Sequence, residues 1–295
     1  MVFEMMANAD NGPAIGTVGV LGCGLMGSGI AQVCAQSGYR TIVREVDDAA
    51  VTVGLGRIET FLAEGVKRNK LSGEARDSAM AALSGTTALE DLAACDIVIE
   101  AIVEDLEAKR DVFVGLDRVV RPDTIFASNT SSLCITEMAS ATTRPDRFLG
   151  LHFFSPVPVM KMVEVVRGLV TSDETYQRGV GFSRSLGKDP VTAPDRPGFI
   201  VNRLLIPYLL DAIRAYESGL GTIEDIDKGM TMGCGHPMGP FALLDFVGLD
   251  TTYYIANIMY DEFRNPAYAA PPLLKRMVLA GRLGRKSGRG FHTYR

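Results

Sequence analysis

The sequence predicts an α/β protein, with a doubly wound, mostly parallel sheet in its first two-thirds and an all-α region after it. Between Thr17 and Ser128, short apolar runs alternate with stretches of helical periodicity, the signature of strand–helix–strand units. The first unit carries a G-x-G-x-x-G turn between its strand and its helix. Strand patterning then stops at Thr192–Phe199 (T-A-P-D-R-P-G-F), where two prolines, a glycine and charge mark a boundary.

The first unit is T-V-G-V-L-G-C-G-L-M-G-S-G-I-A-Q-V-C-A-Q-S-G, Thr17 to Gly38. Val18, Val20 and Leu21 read as a strand buried on both faces. Gly22 permits the sharp exit, Gly24 has no side chain to hold a pyrophosphate off the backbone N–H groups, and Gly27 lets the helix lie close to the sheet. Leu25 and Met26 complete the loop facing the ligand. A second strand, Thr41–Val43, ends at Glu45, 21 residues after Gly24, where a carboxylate can bind a ribose 2′-hydroxyl. These features predict a Rossmann-type dinucleotide site. NAD fits better than NADP, whose phosphate would meet Glu45, although Arg44 beside it could serve a phosphate if it swung over.

Further along, apolar Val51, Leu55, Ile58, Leu62 and Val66 predict a helix over about Asp48–Lys70. Leu71-Ser72-Gly73 breaks it before a second helix, Glu74–Leu83. The basic end of the first helix (Lys67, Arg68, Lys70) is either a solvated terminus favoured by the helix dipole or an anion site for a phosphorylated substrate. Asp96–Ala101 is a strand ending near Glu100 and Glu104, Leu106–Val120 a helix, and Thr124–Ser128 a strand leading into S-N-T-S-S. In such sheets ligands gather at the strands' carboxyl ends, which puts Glu104, Asn129 and Ser131 on the cofactor rim. Beyond the boundary, helices are expected at Ile200–Ser218, Ile223–Met232, Pro240–Tyr260 and Pro272–Ala280. The resulting division is a disordered leader at 1–14, a dinucleotide-binding domain at 15–195 and a helical substrate and dimerisation domain at 196–295.

Composition narrows the function classes. The apolar share is 47%, the charged share 22% and the net charge −5, without a long basic block, so nucleic acid is not an expected partner. The five cysteines are scattered without a C-x-x-C pair, favouring reduced thiols in a cytoplasmic setting and no metal site. No run of about 18 apolar residues is present to cross a membrane, and Met1–Pro13 lacks the features of a signal or transit peptide.

The chemistry centres on Phe148–Phe154, an apolar strand whose one polar residue is His152. After S-P-V-P-V-M the chain returns through Lys161–Val166, whose only acid is Glu164. Two strands around that turn can bring His152 and Glu164 together. A lone histidine is commonly structural, but here a facing carboxylate near the cofactor rim could orient the imidazole and stabilise its cation, as a general base requires. Asn202, at the start of the first C-terminal helix, is either a helix-start polar residue or a cleft residue. His236, among glycines and prolines, reads as structural, and His292 has no assigned role. Tyr208, Met230, Tyr253, Tyr254 and Met259 read as core or a dimer surface.

Taken together, these residues resemble the 3-hydroxyacyl-CoA dehydrogenase family in its short, single-function form. The resemblance runs from about Gly16 to Tyr294. It rests on G-C-G-L-M-G-S-G-I-A (Gly22–Ala31), E-A-I-V-E (Glu100–Glu104), A-S-N-T-S-S-L (Ala127–Leu133) and G-L-H-F-F-S-P-V-P-V-M-K-M-V-E-V (Gly150–Val165). P-G-F-I-V-N-R (Pro197–Arg203), H-P-M-G-P (His236–Pro240) and L-G-R-K-S-G-R-G-F (Leu283–Phe291) extend it. It implies His152 as catalytic base with Glu164 as its partner, and Ser131 and Asn202 as substrate contacts. It also implies Glu45 as ribose acid in place of the family's usual Asp, and Glu104, Lys109 and Lys286 as further cofactor-side residues. A family lysine that contacts CoA phosphates falls on Arg68, and Ser155 stands where the family usually has Asn.

The resemblance further implies NAD-dependent redox chemistry on short-chain 3-hydroxyacyl-CoA thioesters, as in β-oxidation, and a homodimer formed through the C-terminal domain. Two alternatives stand beside it. The thin basic patch leaves room for the same chemistry on an acyl-carrier-protein thioester, and the fold alone is compatible with a non-catalytic nucleotide-sensing module.

Overall fold

A computed structural model describes residues 15–294; the expected leader, 1–14, lies outside the described residues. The chain forms β1 (Thr17–Leu21), α1 (Leu25–Gln36), β2 (Arg40–Arg44), α2 (Asp48–Lys67), α3 (Gly73–Ala81), β3 (Leu83–Thr86) and β4 (Ile97–Glu100). Then follow α4 (Leu106–Asp117), β5 (Ile125–Ser128), α5 (Ile135–Ala139), β6 (Phe148–Phe153), β7 (Met162–Arg167), α6 (Asp173–Ser185) and β8 (Asp189–Pro194). The strands make one eight-stranded sheet in the order β3-β2-β1-β4-β5-β6-β7-β8. Every neighbouring pair is parallel except β6 and β7. Helical residues follow as α7 (Val201–Glu217), α8 (Ile223–Cys234), α9 (Pro240–Val247), α10 (Leu249–Phe263) and α11 (Pro272–Leu279).

The chain divides into two compact units. One comprises residues through Thr130 with Cys134–Asp195, and the other Ser131–Leu133 with the residues from Arg196 onward. In the first, β1, β4 and β5 are buried on both faces, as their unbroken apolar runs require. Phe113 of α4 packs edge-on against Phe148 at 4.5 Å between ring centres. The helical unit has its own core, built from Leu209, Leu210 and Ile213 of α7, Phe241 and Leu244 of α9, and Met259 of α10. Fully buried Asp245 ties its tail down, accepting from the Phe291 and His292 amides at 2.8 Å each and from the Tyr294 hydroxyl at 3.0 Å. His292 is structural too, its Nε2 lying 2.9 Å from the Asp227 carboxylate.

Several elements differ from the sequence expectation. The helix expected over 48–70 ends at Lys67, with Arg68 as its C-cap. The edge strand β3 follows α3 unannounced, because L-S-G-T has no apolar run; its Gly85 is needed where α2 lies on it, since a Cβ there would meet Val51 at 2.2 Å. The stretch between β7 and the boundary holds α6 and β8. β8 runs into the start of the Thr192–Phe199 segment expected as a boundary, and its prolines are tolerated because it is an edge strand. The helix expected over Pro240–Tyr260 is two helices, because Gly248 adopts φ +102° between them.

Asp96, just before β4, clamps the start of β1, accepting from the Gly16 and Thr17 amides at 2.7 and 2.8 Å and pairing with Arg121. Burial alone would raise its pKa, but the two amides and Arg121 outweigh burial and hold it below the ordinary aspartate value. A depressed folded pKa adds stability that is full above the unfolded value, about 3.9, and is lost as pH falls through the folded value. Asp96→Asn is therefore expected to cost about 1–3 kcal/mol at pH 7 in urea denaturation. The gap to wild type should close only below about pH 4; a gap unchanged at pH 2.5 would contradict this role.

Candidate functional site

The carboxyl ends of β1, β2, β4 and β5 meet the loops named from sequence. Gly22 turns out of β1 at φ +82°, where a Cβ would lie 2.7 Å from the Ala101 carbonyl oxygen. Gly27 sits against the same turn, and a Cβ there would overlap the Gly22 carbonyl oxygen at 1.8 Å. Gly24 faces open space and caps α1 without a side chain. The first-turn N–H groups of Leu25, Met26 and Gly27 thus point to an opening suited to an anion. Glu45 follows β2 directly; its Oε1 accepts from the Cys23 amide at 2.5 Å and its Oε2 from the Val46 amide at 3.1 Å. Burial, with Glu45 adding to it, pushes the Cys23 thiol up to about 11, so the loop carries a protonated, inert thiol. Arg44 turns away, its Nε donating to the Thr87 carbonyl at 3.2 Å. A cradle of bare amides with an acid beside it fits a dinucleotide diphosphate and its ribose.

Beneath this loop lies a buried charge network. Glu100, fully buried at the end of β4, accepts from Lys109 Nζ at 2.5 Å, Ser128 Oγ at 2.6 Å and the Ile102 amide at 2.7 Å. Lys109 of α4, equally buried, also pairs with Glu104 at 3.1 Å. Burial pushes the Glu100 carboxyl up, against the pull of Lys109. Burial alone would lower Lys109, but Glu100 and Glu104 outweigh it and hold the ammonium above its ordinary value. The structure thus places Lys109 as an internal counter-ion. Asn129 holds the neighbouring strand, its Oδ1 accepting from the Phe153 amide at 2.9 Å.

His152 and Glu164 are direct cross-strand partners of β6 and β7. Their side chains share one face, with His152 Nδ1 2.6 Å from Glu164 Oε2. Both residues are buried, Glu164 completely. The turn between the strands contains the cis Ser155–Pro156 bond. Buried Lys188 holds it, donating to the Val157 and Met160 carbonyls at 2.5 and 2.8 Å, and burial lowers the Lys188 pKa. Ser131 and Asn202, the second residue of α7, both fall in the helical unit. Lys286 lies there too, paired with Asp250 at 2.6 Å.

A cavity of about 690 Å3 lies along α2, lined by Arg57, Thr60, Phe61, Arg68, Lys70 and Pro158 among others. Arg68 pairs with Glu64 at 3.3 Å on its rim. Sequence reading missed Arg57, Lys188 and Ser128. Arg57 and Lys188 stand in no recognisable motif, Ser128 stands in A-S-N-T-S-S-L without a role of its own assigned there, and each acts on an element distant in sequence.

The model of the 3-hydroxyacyl-CoA dehydrogenase NAD binding domain matches residues 17–196, and that of the 3-hydroxyacyl-CoA dehydrogenase C-terminal domain matches 198–294. A 3-hydroxybutyryl-CoA dehydrogenase of Mycobacterium tuberculosis is 52% identical over 95% of this chain and 99% of its own length. The human mitochondrial hydroxyacyl-coenzyme A dehydrogenase is 46% identical over 94% of this chain and 91% of its own. The crystal structure of (S)-3-hydroxybutyryl-CoA dehydrogenase PaaH1 from Ralstonia eutropha superposes with a TM-score of 0.92 at 45% identity, covering 96% of this chain and all of that one.

Removing the ammonium of Lys109 would leave buried Glu100 with only Ser128 Oγ and the Ile102 amide as donors among the described residues, so its carboxylate must stay charged at a cost or take up a proton. Lys109→Met should cost about 3–5 kcal/mol in urea denaturation, and adding Glu100→Gln should recover much of it. An unfolding midpoint unchanged in Lys109→Met would show that the pair is not closed in solution.

Proposed function

The chain belongs to the 3-hydroxyacyl-CoA dehydrogenase family of NAD-dependent oxidoreductases, and we propose that its substrates are short-chain (S)-3-hydroxyacyl-CoA thioesters and the matching 3-ketoacyl-CoA thioesters. The observation that supports this reading most directly is the buried 2.6 Å contact between His152 Nδ1 and Glu164. With Nδ1 committed to the carboxylate, Nε2 is the nitrogen that exchanges the proton of the 3-hydroxyl. Glu164 fixes that tautomer and offsets the imidazolium formed when His152 takes the proton; in the reverse direction the imidazolium returns it to the 3-ketone. The bound nicotinamide supplies the hydride acceptor or donor. Gly22, Gly24, Leu25, Met26 and Gly27 would hold its diphosphate, and Glu45 its ribose. Glu100, Glu104, Lys109 and Asn129 stiffen the strand ends beside it, and Lys286 is assigned to the cofactor side by its family position.

Ser131 and Asn202 take their assignment from the family: they hydrogen-bond the reacting oxygen or the thioester carbonyl. Arg68 and Lys70, on the cavity along α2, suit the phosphates of the CoA carrier. Dimerisation through the helical unit is supported by its exposed apolar residues, Leu204, Leu220, Met232 and Leu279. A cytoplasmic location accords with cysteines that are all free among the described residues, where no helix is long and apolar enough to cross a membrane.

Loss of absorbance at 340 nm should follow addition of acetoacetyl-CoA with NADH, and be much slower with NADPH. Turnover only with an acyl-carrier-protein thioester would move the assignment to that carrier, and NADH binding without oxidation of NADH would make the protein a sensor. His152→Gln should lower kcat by about 10²–10⁴-fold with NADH affinity retained; near-normal turnover would remove His152 from the role. Equilibrium sedimentation at micromolar protein should give a dimer, and a monomer alone would overturn that proposal.

A further inference from the structure

We propose that Arg57 is a positioning residue shared by two sites, holding the dinucleotide loop through the Cys23 carbonyl while presenting its other donors to the phosphates of the thioester's carrier. Cys23 lies between Gly22 and Gly24, and its peptide groups are gripped from both sides. Its N–H donates to Glu45 at 2.5 Å, and its carbonyl accepts from Arg57 Nη1 at 2.7 Å. A carboxylate on one end and a guanidinium on the other fix the loop's orientation before any ligand arrives. The helix that carries Arg57 is pressed onto the same residue, since a Cβ on Gly54 would come within 2.4 Å of the Cys23 sulfur. No motif announces this contact; α2 reaches the loop only through the packing of the unit.

The second half of the proposal comes from helix geometry. Arg57, Phe61 and Glu64 on α2 and Arg68 at its C-cap stand at i, i+4, i+7 and i+11, and all four line the 690 Å3 cavity. Positions eleven apart fall on the same helix face, about 16 Å apart along the axis. The stripe therefore presents a guanidinium at each end with an exposed aromatic ring between them. A guanidinium carries five N–H donors in a planar fork. Arg57 uses one on Cys23, and its other four have no partner among the described residues. Arg68, in contrast, already answers Glu64. Arg57 is thus the less encumbered cation of the stripe, and the one that also touches the cofactor loop. This half rests on the reading of the cavity as the carrier site.

The test separates the two halves. NADH binding is titrated by fluorescence in the absence of thioester for wild type, Arg57→Met and Arg68→Met. KM and kcat are then measured at saturating NADH with acetoacetyl-CoA and with the acetoacetyl thioester of pantetheine, which has no phosphate. Arg57→Met should weaken NADH by about fivefold, the size of an ordinary hydrogen bond felt through the loop, and raise the KM for acetoacetyl-CoA by about tenfold, the low end for one lost charge-assisted hydrogen bond. Its KM for the pantetheine thioester and its kcat should stay within about twofold of wild type, and its thermal midpoint should match that of wild type. Arg68→Met should raise only the KM for acetoacetyl-CoA. Unchanged NADH affinity in Arg57→Met overturns the loop role, and an unchanged KM for acetoacetyl-CoA, or one raised equally for the pantetheine thioester, overturns the phosphate role. If wild type shows one KM for both thioesters, the cavity is not the carrier site; that result fails the broader reading and the phosphate half together, while the NADH titration still decides the loop half.

Discussion

The constraint on which the site depends is the reversal of strand direction between β6 and β7. Among the sheet's neighbouring pairs it is the antiparallel one, and it places an imidazole and a carboxylate as direct partners on one face. Side chains alternate faces along a strand, so a slip of one residue would send either group to the opposite side of the sheet. Burial of Phe148, Leu151 and Phe153 along β6 and of Val163 and Val165 along β7 resists such a slip. Lys188, Asn129 and the Pro-containing turn brace the same two strands. The 2.6 Å contact is therefore built by the sheet rather than by the two side chains finding each other.

The dinucleotide loop is braced in a different way. Its glycines are imposed by steric overlap, Gly27 against the Gly22 carbonyl and Gly22 against Ala101, and the strand end next to it is secured by the buried Glu100–Lys109 pair. A buried ion pair of this kind is weak evidence for stability but leaves little tolerance for losing one partner. Here its value lies in geometry. One carboxylate joins α4 through Lys109, β5 through Ser128 and the turn after β4 through Ile102, so three elements at the carboxyl end of the sheet are tied to one group.

Much of this is legible in the sequence because it is local. The G-x-G-x-x-G turn, the acid after β2 and the lone polar residues of two apolar strands are each read within one or two adjacent elements. What escapes is of two kinds. β3 and β8 are edge strands, half-buried and with little apolar signal, and β8 runs into the expected boundary. Arg57, Lys188 and Ser128 are single polar residues whose partners lie 34, 31 and 28 positions away. Nothing in the spacing announces such contacts. Gly248 belongs with neither, since a glycine within a helical pattern is tolerated as often as it breaks one, and only its φ of +102° shows which applies.

Asp245 imposes an order of events on a chain emerging from the ribosome. Its carboxylate sits in the core of the helical unit, yet the amides and hydroxyl that satisfy it belong to Phe291, His292 and Tyr294, 46 to 49 residues downstream. At translation rates of about 5–20 residues per second, those groups are made some 2–10 s after Asp245 itself. Until then these partners of the Asp245 carboxylate do not exist, so its full set of hydrogen bonds in the helical unit is completed only once the tail has been made. The strand-rich unit, whose ladders are complete by Pro194, has no such wait.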